Sequence, residues 1–473
     1  MRKTKIICTL GPAVDEVDAL RALIAGGMNA ARFNFSHGDH ASHLQMLDKL
    51  RQARAELDSP VATILDTKGP EIRIKSFAAP SVTLREGEEF TLTTEELIGN
   101  EARVSVTYAL LHEKLDVGCH ILLDDGLIDL VVERIEGHDI RCTVVAGGAL
   151  SANKSINIPS VSIPLPSLTE KDRADIRFGV EQGFDFIAAS FVRSAADVED
   201  VRAALREFGG EDVQIIAKIE NREGVDRLDE IIAAADGVMV ARGDLGVEIP
   251  PYEIPGLQKT MIVKTVAQGK PVITATQMLE SMIRNPVPTR AEISDIANAV
   301  FDGTSCVMLS GETASGRYPL QSLKIMERTV EYADASVNNR DNFEKILPGA
   351  EMTVENAISH SCCLTAMDLH ARAILAATAS GNTARRISRF RPDCPIVALT
   401  LSEPSRRRLA LSWGVYPYIS QVAASTDALF EVCVAKAIEE GFVDPGDVVV
   451  ITAGVPIGQS GSTNIIKAQI AEE

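Results

Sequence analysis

Eight βα units in succession, one β-rich interruption and a third α/β block predict an α/β fold: a (β/α)8 TIM barrel with an inserted small β-barrel lid domain and a further α/β domain. The first observation is a repeating unit over most of the first 335 residues: a short apolar, β-branched run, a polar turn, then a longer stretch with helical spacing. The second is a break in that rhythm between the third and fourth strands. The third is length, because 473 residues exceed what a single core holds.

The expected barrel strands are Lys5–Leu10, Met28–Phe35, Val61–Asp66, Phe184–Phe191, Val213–Ile219, Gly237–Ala241, Pro271–Thr276 and Cys306–Leu309. Several are near-continuous apolar runs, as a parallel sheet buried on both faces requires. A doubly wound sheet is the alternative reading of the same alternation. From about Ile72 to Pro164 the pattern turns to β alternation, in Ser81–Leu84, Glu89–Thr93, Ile121–Leu123 and Leu130–Glu133, with Asp-Gly and Gly-rich turns between. An insertion that leaves after a strand end emerges at the face where barrel sites form, where it can act as a lid. After about Asp341 a helix over Thr353–His370 and strands at Ala373–Ala377, Ile396–Leu399 and Val448–Thr452 alternate as a separate α/β domain. The expected division is thus 1–71 and 165–340 for the barrel, 72–164 for the lid and 341–473 for the third domain.

Composition excludes several classes. Forty-seven basic against 66 acidic side chains give −19, which argues against nucleic-acid or anionic-membrane partners and leaves anionic substrates to local basic sites. The eight Cys lack C-x-x-C spacing, which fits a reducing cytoplasm. The start Met1-Arg2-Lys3 runs straight into a strand-like segment, so neither a signal peptide nor a membrane anchor is expected.

Polar residues stand at the carboxyl ends of nearly every expected strand and would converge on one mouth. Lys218 and Glu220, two apart on a strand, share a face; Glu220 and Asp244 together offer two hard oxygen ligands to Mg²⁺. A plain Lys218–Glu220 salt bridge is the alternative. Arg32, Asn34 and Ser36 alternate likewise, and a guanidinium there suits a phosphate. Asn34, Ser36, Asp66 and Thr67 carry one negative charge among neutral oxygens, a set better matched to a monovalent cation; helix capping by the same residue types is the alternative. In Arg242–Gly246, Gly243 and Gly246 flank an acid, so backbone N–H groups can approach an anion. Thr276 ends the seventh strand, where its hydroxyl could hold a proton or a water, or simply cap a helix. In the third block, Thr378, Ser380, Gly381, Asn382 and Thr383 open a helix as a phosphate-binding turn would, or as an ordinary capped turn would. Met278 and Met282 read as core.

The strings Thr4–Pro12 (TKIICTLGP), Arg32–Gly38 (RFNFSHG), Leu65–Arg73 (LDTKGPEIR), Asp124–Ile128 (DDGLI), Lys218–Asn221 (KIEN), Met239–Glu248 (MVARGDLGVE), Ala275–Met282 (ATQMLESM), Pro288–Glu292 (PTRAE) and Leu309–Glu312 (LSGE) resemble the pyruvate kinase family over nearly the full length. The resemblance implies a phosphoryl transfer from phosphoenolpyruvate to ADP, giving pyruvate and ATP in glycolysis, with Mg²⁺ (or Mn²⁺) and K⁺. It makes the third domain a regulatory one that binds a sugar phosphate or AMP at Thr378–Thr383, and the molecule a cytoplasmic homotetramer. By the same resemblance Arg32 binds the substrate phosphate, Lys218 stabilises the phosphoryl group and enolate, and Glu220 and Asp244 hold Mg²⁺. Gly243, Asp244 and Thr276 hold the substrate carboxylate, and Thr276 marks the side from which the enolate carbon is protonated. Asn34, Ser36, Asp66 and Thr67 hold K⁺, with Glu71 marking K⁺ dependence, while Asn34, Phe35, Ser36, His37, Arg73 and Lys154 meet the nucleotide. Three departures stand out: Val287 for the Arg of the usual N-P-R-P-T-R-A-E string, Ser155 for a lid glycine, and no Arg in the loop Ala453–Asn464. The competing expectations are a Mg-dependent pyruvate-enolate lyase or aldolase on a related barrel, and a non-catalytic sugar-phosphate sensor.

Overall fold

The computed structural model describes residues 1–159, 161–346, 353–456 and 463–472. Eight parallel strands close into a barrel: Lys5–Thr9, Ala30–Asn34, Ala62–Asp66, Phe186–Ala189, Gln214–Ile219, Gly237–Ala241, Val272–Ala275 and Cys306–Leu309. Each pairs with its sequence neighbours, and the first closes onto the eighth through Lys5 opposite Cys306. Alternation along each strand sorts the side chains. Outward residues such as Leu65, Ile187 and Ile219 pack beneath the helices, whereas Ile7, Ala30, Ile64, Phe186, Ile216 and Ile273 fill the barrel interior.

The insertion folds around its own core of Ile74, Phe90, Leu92, Ile121, Leu130 and Ile140. Its seven-stranded sheet runs from Ile72–Arg73 at one edge to Arg103–Ser105 at the other. The two edges meet, because Thr107 N–H donates to Arg73 O at 2.9 Å, Lys75 N–H to Ser105 O at 2.8 Å, and Ile74 bridges Val106. Closing the sheet removes the free edges that an isolated small sheet would expose.

The third domain is a five-stranded sheet in the order Val415–Ile419, Ile396–Thr400, Ala373–Ala377, Val448–Gly454 and Thr463–Ile470, the last antiparallel. Two of these strands, Val415–Ile419 and Thr463–Ile470, were not expected from the sequence, and the expected boundary at residue 341 falls inside a helix, Asn339–Ile346. This domain plugs the amino-terminal end of the barrel. Ala410 and Leu411 join the interior cluster, Cys306 Sγ donates to Leu411 O at 3.3 Å, and Lys5 Nζ donates to Val415 O at 2.5 Å. Around the plug, Arg406 pairs with Asp58 and Arg407 with Asp185. No helix among the described residues is long and apolar enough to cross a membrane.

Candidate active site

At the carboxyl end of the strands the inward rows change from apolar to polar. The third strand places Asp66 two residues beyond Ile64, and the fifth places Lys218 two beyond Ile216 with Glu220 just past its end. Lys218 Nζ lies 3.0 Å from Asp66 Oδ1, 3.0 Å from Glu220 Oε1 and 2.7 Å from Ser190 Oγ. Arg32 Nε is 2.6 Å from the other Asp66 oxygen, and Arg32 Nη1 donates to Thr9 Oγ1 at 3.1 Å. Burial opposes the charge on Lys218, but Asp66 and Glu220 outweigh it and hold the ammonium above its ordinary value. Asp66, although fully buried, is held below its ordinary range by Arg32 and Lys218.

Glu220 is the unbalanced member. Its Oε2 accepts from Phe191 N–H at 2.6 Å, and its buried Oε1 faces the Lys218 ammonium at 3.0 Å. Burial, with the charge of Asp244 added against the pull of Lys218, pushes this carboxyl well above its usual range. A buried carboxylate oxygen with spare lone pairs, next to a second acid, fits a divalent cation, which removes the penalty that raises the carboxyl. Two carboxylates are what Mg²⁺ takes from a protein when substrate oxygens and waters complete its shell.

The backbone at the mouth is strained. Phe191, Thr276 and Gln277 adopt φ of 55°, 68° and 55°. For a β-branched threonine this left-handed conformation is an outlier, costing about 1–3 kcal/mol. It turns the Thr276 hydroxyl to accept from Gly243 N–H at 2.8 Å, and Arg242 locks the turn by donating to Thr276 O at 2.6 Å.

Arg32, Asn34, Ser36, His37, Arg73, Lys218, Glu220 and Asp244 line one cleft of about 630 Å³. Lys154, with His37, Arg73 and Asp244, lines an adjoining cleft of about 740 Å³ beneath the lid. Lys154 reaches Asp124 at 2.7 Å, and Arg73 pairs with Glu71 at 2.6 Å. Asp66 and Thr67 lie buried under the cleft rather than along it, and Asn34 Oδ1 accepts from Ser36 N–H at 3.1 Å. The Phe35 side chain is not at the mouth. It stacks on His43 at 4.0 Å inside the core, so only its backbone can reach a ligand.

Of the departures, Ser155 is tied to Asp125 by two hydrogen bonds in the lid, and Val287 is exposed away from both clefts. In the third domain Gly381, at φ 87°, starts the helix Asn382–Arg389 with its N–H on Thr378 Oγ1, while Thr383 and Thr463 share a hydrogen bond at 2.7 Å. Of the loop Ala453–Asn464, residues 457–462 lie outside the described residues. Sequence reading gave no role to Thr9, Ser190 or the lid contacts Asn157–Glu248 and Ser162–Glu223. The signal for Thr9 was parity with inward Ile7; for Ser190 it was its place after the fourth strand.

A parallel barrel with an inserted β domain, whose mouth gathers a charged lysine, an arginine and buried acids, is the framework of an enzyme that handles anionic substrates. Comparison with known proteins agrees. Residues 1–323 match the family model for the pyruvate kinase barrel domain and residues 356–468 that for the pyruvate kinase alpha/beta domain. The chain is 49% identical to a pyruvate kinase of Clostridium acetobutylicum over 474 residues, covering all of both. It is also 49% identical to a pyruvate kinase of Geobacillus stearothermophilus, covering all of this chain and 81% of that one. A crystal structure of a pyruvate kinase from Cryptosporidium parvum superposes with a TM-score of 0.95 at 40% identity, over 99% of this chain and 96% of that one. The chain belongs to the pyruvate kinase family, and its reaction is transfer of the phosphoryl group of phosphoenolpyruvate to ADP, giving pyruvate and ATP.

Proposed function

We propose that the mouth performs this transfer with Lys218 and Arg32 as its fixed cations. Arg32, which lines the cleft, binds the substrate phosphate; Lys218, charged and held between Asp66 and Glu220, stabilises the phosphoryl group in flight and the enolate left behind. Asp66 serves as the positioning residue for both cations. The backbone at Gly243 and Asp244 and the Thr276 hydroxyl take the substrate carboxylate, and Thr276 lies on the side from which the enolate carbon receives its proton. Asn34, the Phe35 backbone, Ser36, His37, Arg73 and Lys154 meet ADP or ATP across the two clefts.

Glu220 and Asp244 would hold Mg²⁺ (or Mn²⁺), which when bound supplies positive charge to phosphate and enolate oxygens. Asn34, Ser36, Asp66 and Thr67 would hold K⁺. The observation that carries this reading is the pair of acids at the mouth: the buried Glu220, with Lys218 at 3.0 Å, raised by burial and by the charge of Asp244, which lines the same cleft. The cation-lined cleft under the lid, with Lys154 and Arg73, favours a kinase over a lyase, which has no second phosphate to hold. The intact Lys218, Glu220, Asp244 and Thr276 favour an enzyme over a sensor.

In the same reading 1–71 and 165–340 form the catalytic domain, 72–164 the lid, and 341–473 the regulatory domain. There Thr378, Ser380, Gly381, Asn382 and Thr383 take a sugar phosphate or AMP, and the active molecule is a cytoplasmic homotetramer in glycolysis. The test is pyruvate formation from phosphoenolpyruvate and ADP with Mg²⁺ throughout, in K⁺ or in Na⁺. Turnover that needs K⁺, and a Glu71→Lys variant that works equally in both, are expected. Unchanged K⁺ activation in that variant would remove Glu71 from the account.

A further inference from the structure

The segment that leaves the second strand, Asn34–His37, is held in place by side chains outside the reacting groups. Ser36 and His37 are exposed, yet every peptide around them is fixed. Ser36 N–H donates to Asn34 Oδ1 at 3.1 Å, and His37 N–H to Asn34 O at 3.3 Å. The carbonyls on either side are taken by two other elements: Phe35 O accepts from Lys171 Nζ at 2.8 Å, and His37 O accepts from His43 Nε2 at 2.9 Å. A carbonyl oxygen only accepts, so His43 carries a proton on Nε2.

Both donors stand in firm surroundings. Lys171, in the first turn of the helix Glu170–Glu181, is gripped at 2.6 Å by Asp175 one turn on, and the buried Asp175 also takes His40 Nε2 at 2.7 Å. Asp175 therefore keeps a partner if Lys171 is removed, and the carboxylate is not stranded. His43, in the helix His40–Glu56, stacks on the Phe35 ring with centroids 4.0 Å apart and planes 15° apart. Beside Lys171, Asp172 accepts from Gly69 N–H at 3.0 Å and from Thr169 N–H at 2.9 Å, which ties the chain entering the lid to the chain leaving it. One helix end thus anchors both lid crossings and the segment at the second strand.

We propose that Lys171 and His43 are positioning residues for the nucleotide: they hold the peptides that flank Ser36 and His37, so these residues meet ADP in a preset direction. The proposal rests on the assignment of Asn34–His37 to the nucleotide made above. A peptide unit is planar, so fixing the oxygens of Phe35 and His37 fixes the direction of the chain between them. Ordering one residue of a loose turn on binding costs roughly tenfold in affinity, and the two braces remove that cost beforehand.

Steady-state rates of the full chain with ADP and phosphoenolpyruvate varied in turn test this, with Tm recorded and with K⁺ saturating because Asn34 and Ser36 would also hold that ion. Lys171→Met and His43→Leu should each raise KM for ADP by about fivefold, part of that ordering cost, with KM for phosphoenolpyruvate and kcat at saturating ADP little changed. Lys171→Arg and His43→Gln, which restore an N–H at similar reach, should recover most of the loss. The braces come from different helices, so either pair of variants tests the claim if the other does not fold. Arg177→Met, which breaks only the exposed pair with Glu181 on the same helix, should leave all three constants alone. His37→Ala tests the nucleotide assignment itself. A raised KM for ADP in His37→Ala, with no change in Lys171→Met or His43→Leu, would overturn the braces alone. An unchanged KM for ADP in His37→Ala would remove the segment from the nucleotide site and the braces with it. Losses shared equally by both substrates, or ones that follow Tm rather than the restored N–H, would make the two residues merely structural and also overturn the proposal.

Discussion

At the carboxyl end of the barrel, buried charges answer one another: Lys218 and Arg32 share Asp66, and Glu220 lies 3.0 Å from Lys218. At the amino end, the third domain delivers Leu411 into the interior; around it Lys5 of the barrel bonds to Val415 O and Arg391 to Gly303 O, while Arg406 and Arg407 pair with Asp58 and Asp185. The same eight strands thus end in a charged mouth and in an apolar plug. The difference separates the two jobs of a barrel enzyme. Chemistry needs fixed charges that are already oriented and already paired, so that a substrate exchanges partners rather than creating them. Stability needs the other end closed, so the interior column of Ile7, Ile64, Phe186 and Ile216 has no solvent beneath it.

Changes at the two ends should therefore fail differently. The largest effect is expected at the mouth: Lys218→Met should lower kcat by roughly 10³-fold, the scale of a lost preorganised charge contact, while phosphoenolpyruvate still binds by way of Arg32. Steady-state rates with an equilibrium binding measurement check this, and a near-normal kcat would remove Lys218 from the chemistry. At the floor, Leu411→Ala should instead cost about 3 kcal/mol of stability through the cavity it leaves, with turnover at moderate temperature nearly intact. Denaturant unfolding of the full chain reads it, and a large loss of kcat with unchanged stability would erase the contrast.

The smallest effect is expected from Lys5, whose ammonium burial pushes down to about 7 from an ordinary 10.5. Between these values the unfolded chain binds more protons than the folded one, so the folded state gains stability as pH rises from 7 toward 10 and loses it as pH falls back. Lys5→Met should flatten that slope in Tm. A slope identical in the variant would assign it to other groups.

Much of this was legible in the sequence, for a physical reason. Strand parity is strict, so once Lys5–Thr9 through Cys306–Leu309 read as strands, the residues at their carboxyl ends had to meet, and Lys218, Glu220, Arg32 and Asp66 do. The β character of the insertion was also legible, from alternation such as that in Leu130–Glu133, but the closure of its sheet was not. The plug was not. Leu409, Ala410 and Leu411 look like the apolar face of a local helix, and nothing in spacing says that they enter another domain's core. The strand Val415–Ile419 hides behind Pro417, and Thr463–Ile470, at the opposite edge of the sheet, has little regular burial. Phe35 illustrates the limit of motif transfer: it stands within a string that meets nucleotide, but parity turns its ring into the core. The burial of Arg389, Arg391 and Arg406 was invisible because charge in a sequence reads as surface until the fold buries it.

The central claim is that Glu220 and Asp244 form a divalent-cation site next to a charged Lys218. Mn²⁺ binding to the full chain without nucleotide, followed by electron paramagnetic resonance in the parent protein and in Glu220→Gln, tests it most directly. The account expects a site in the parent that weakens at least tenfold in the variant, as loss of one of two charged ligands requires. Equal Mn²⁺ affinity in the two proteins would contradict it.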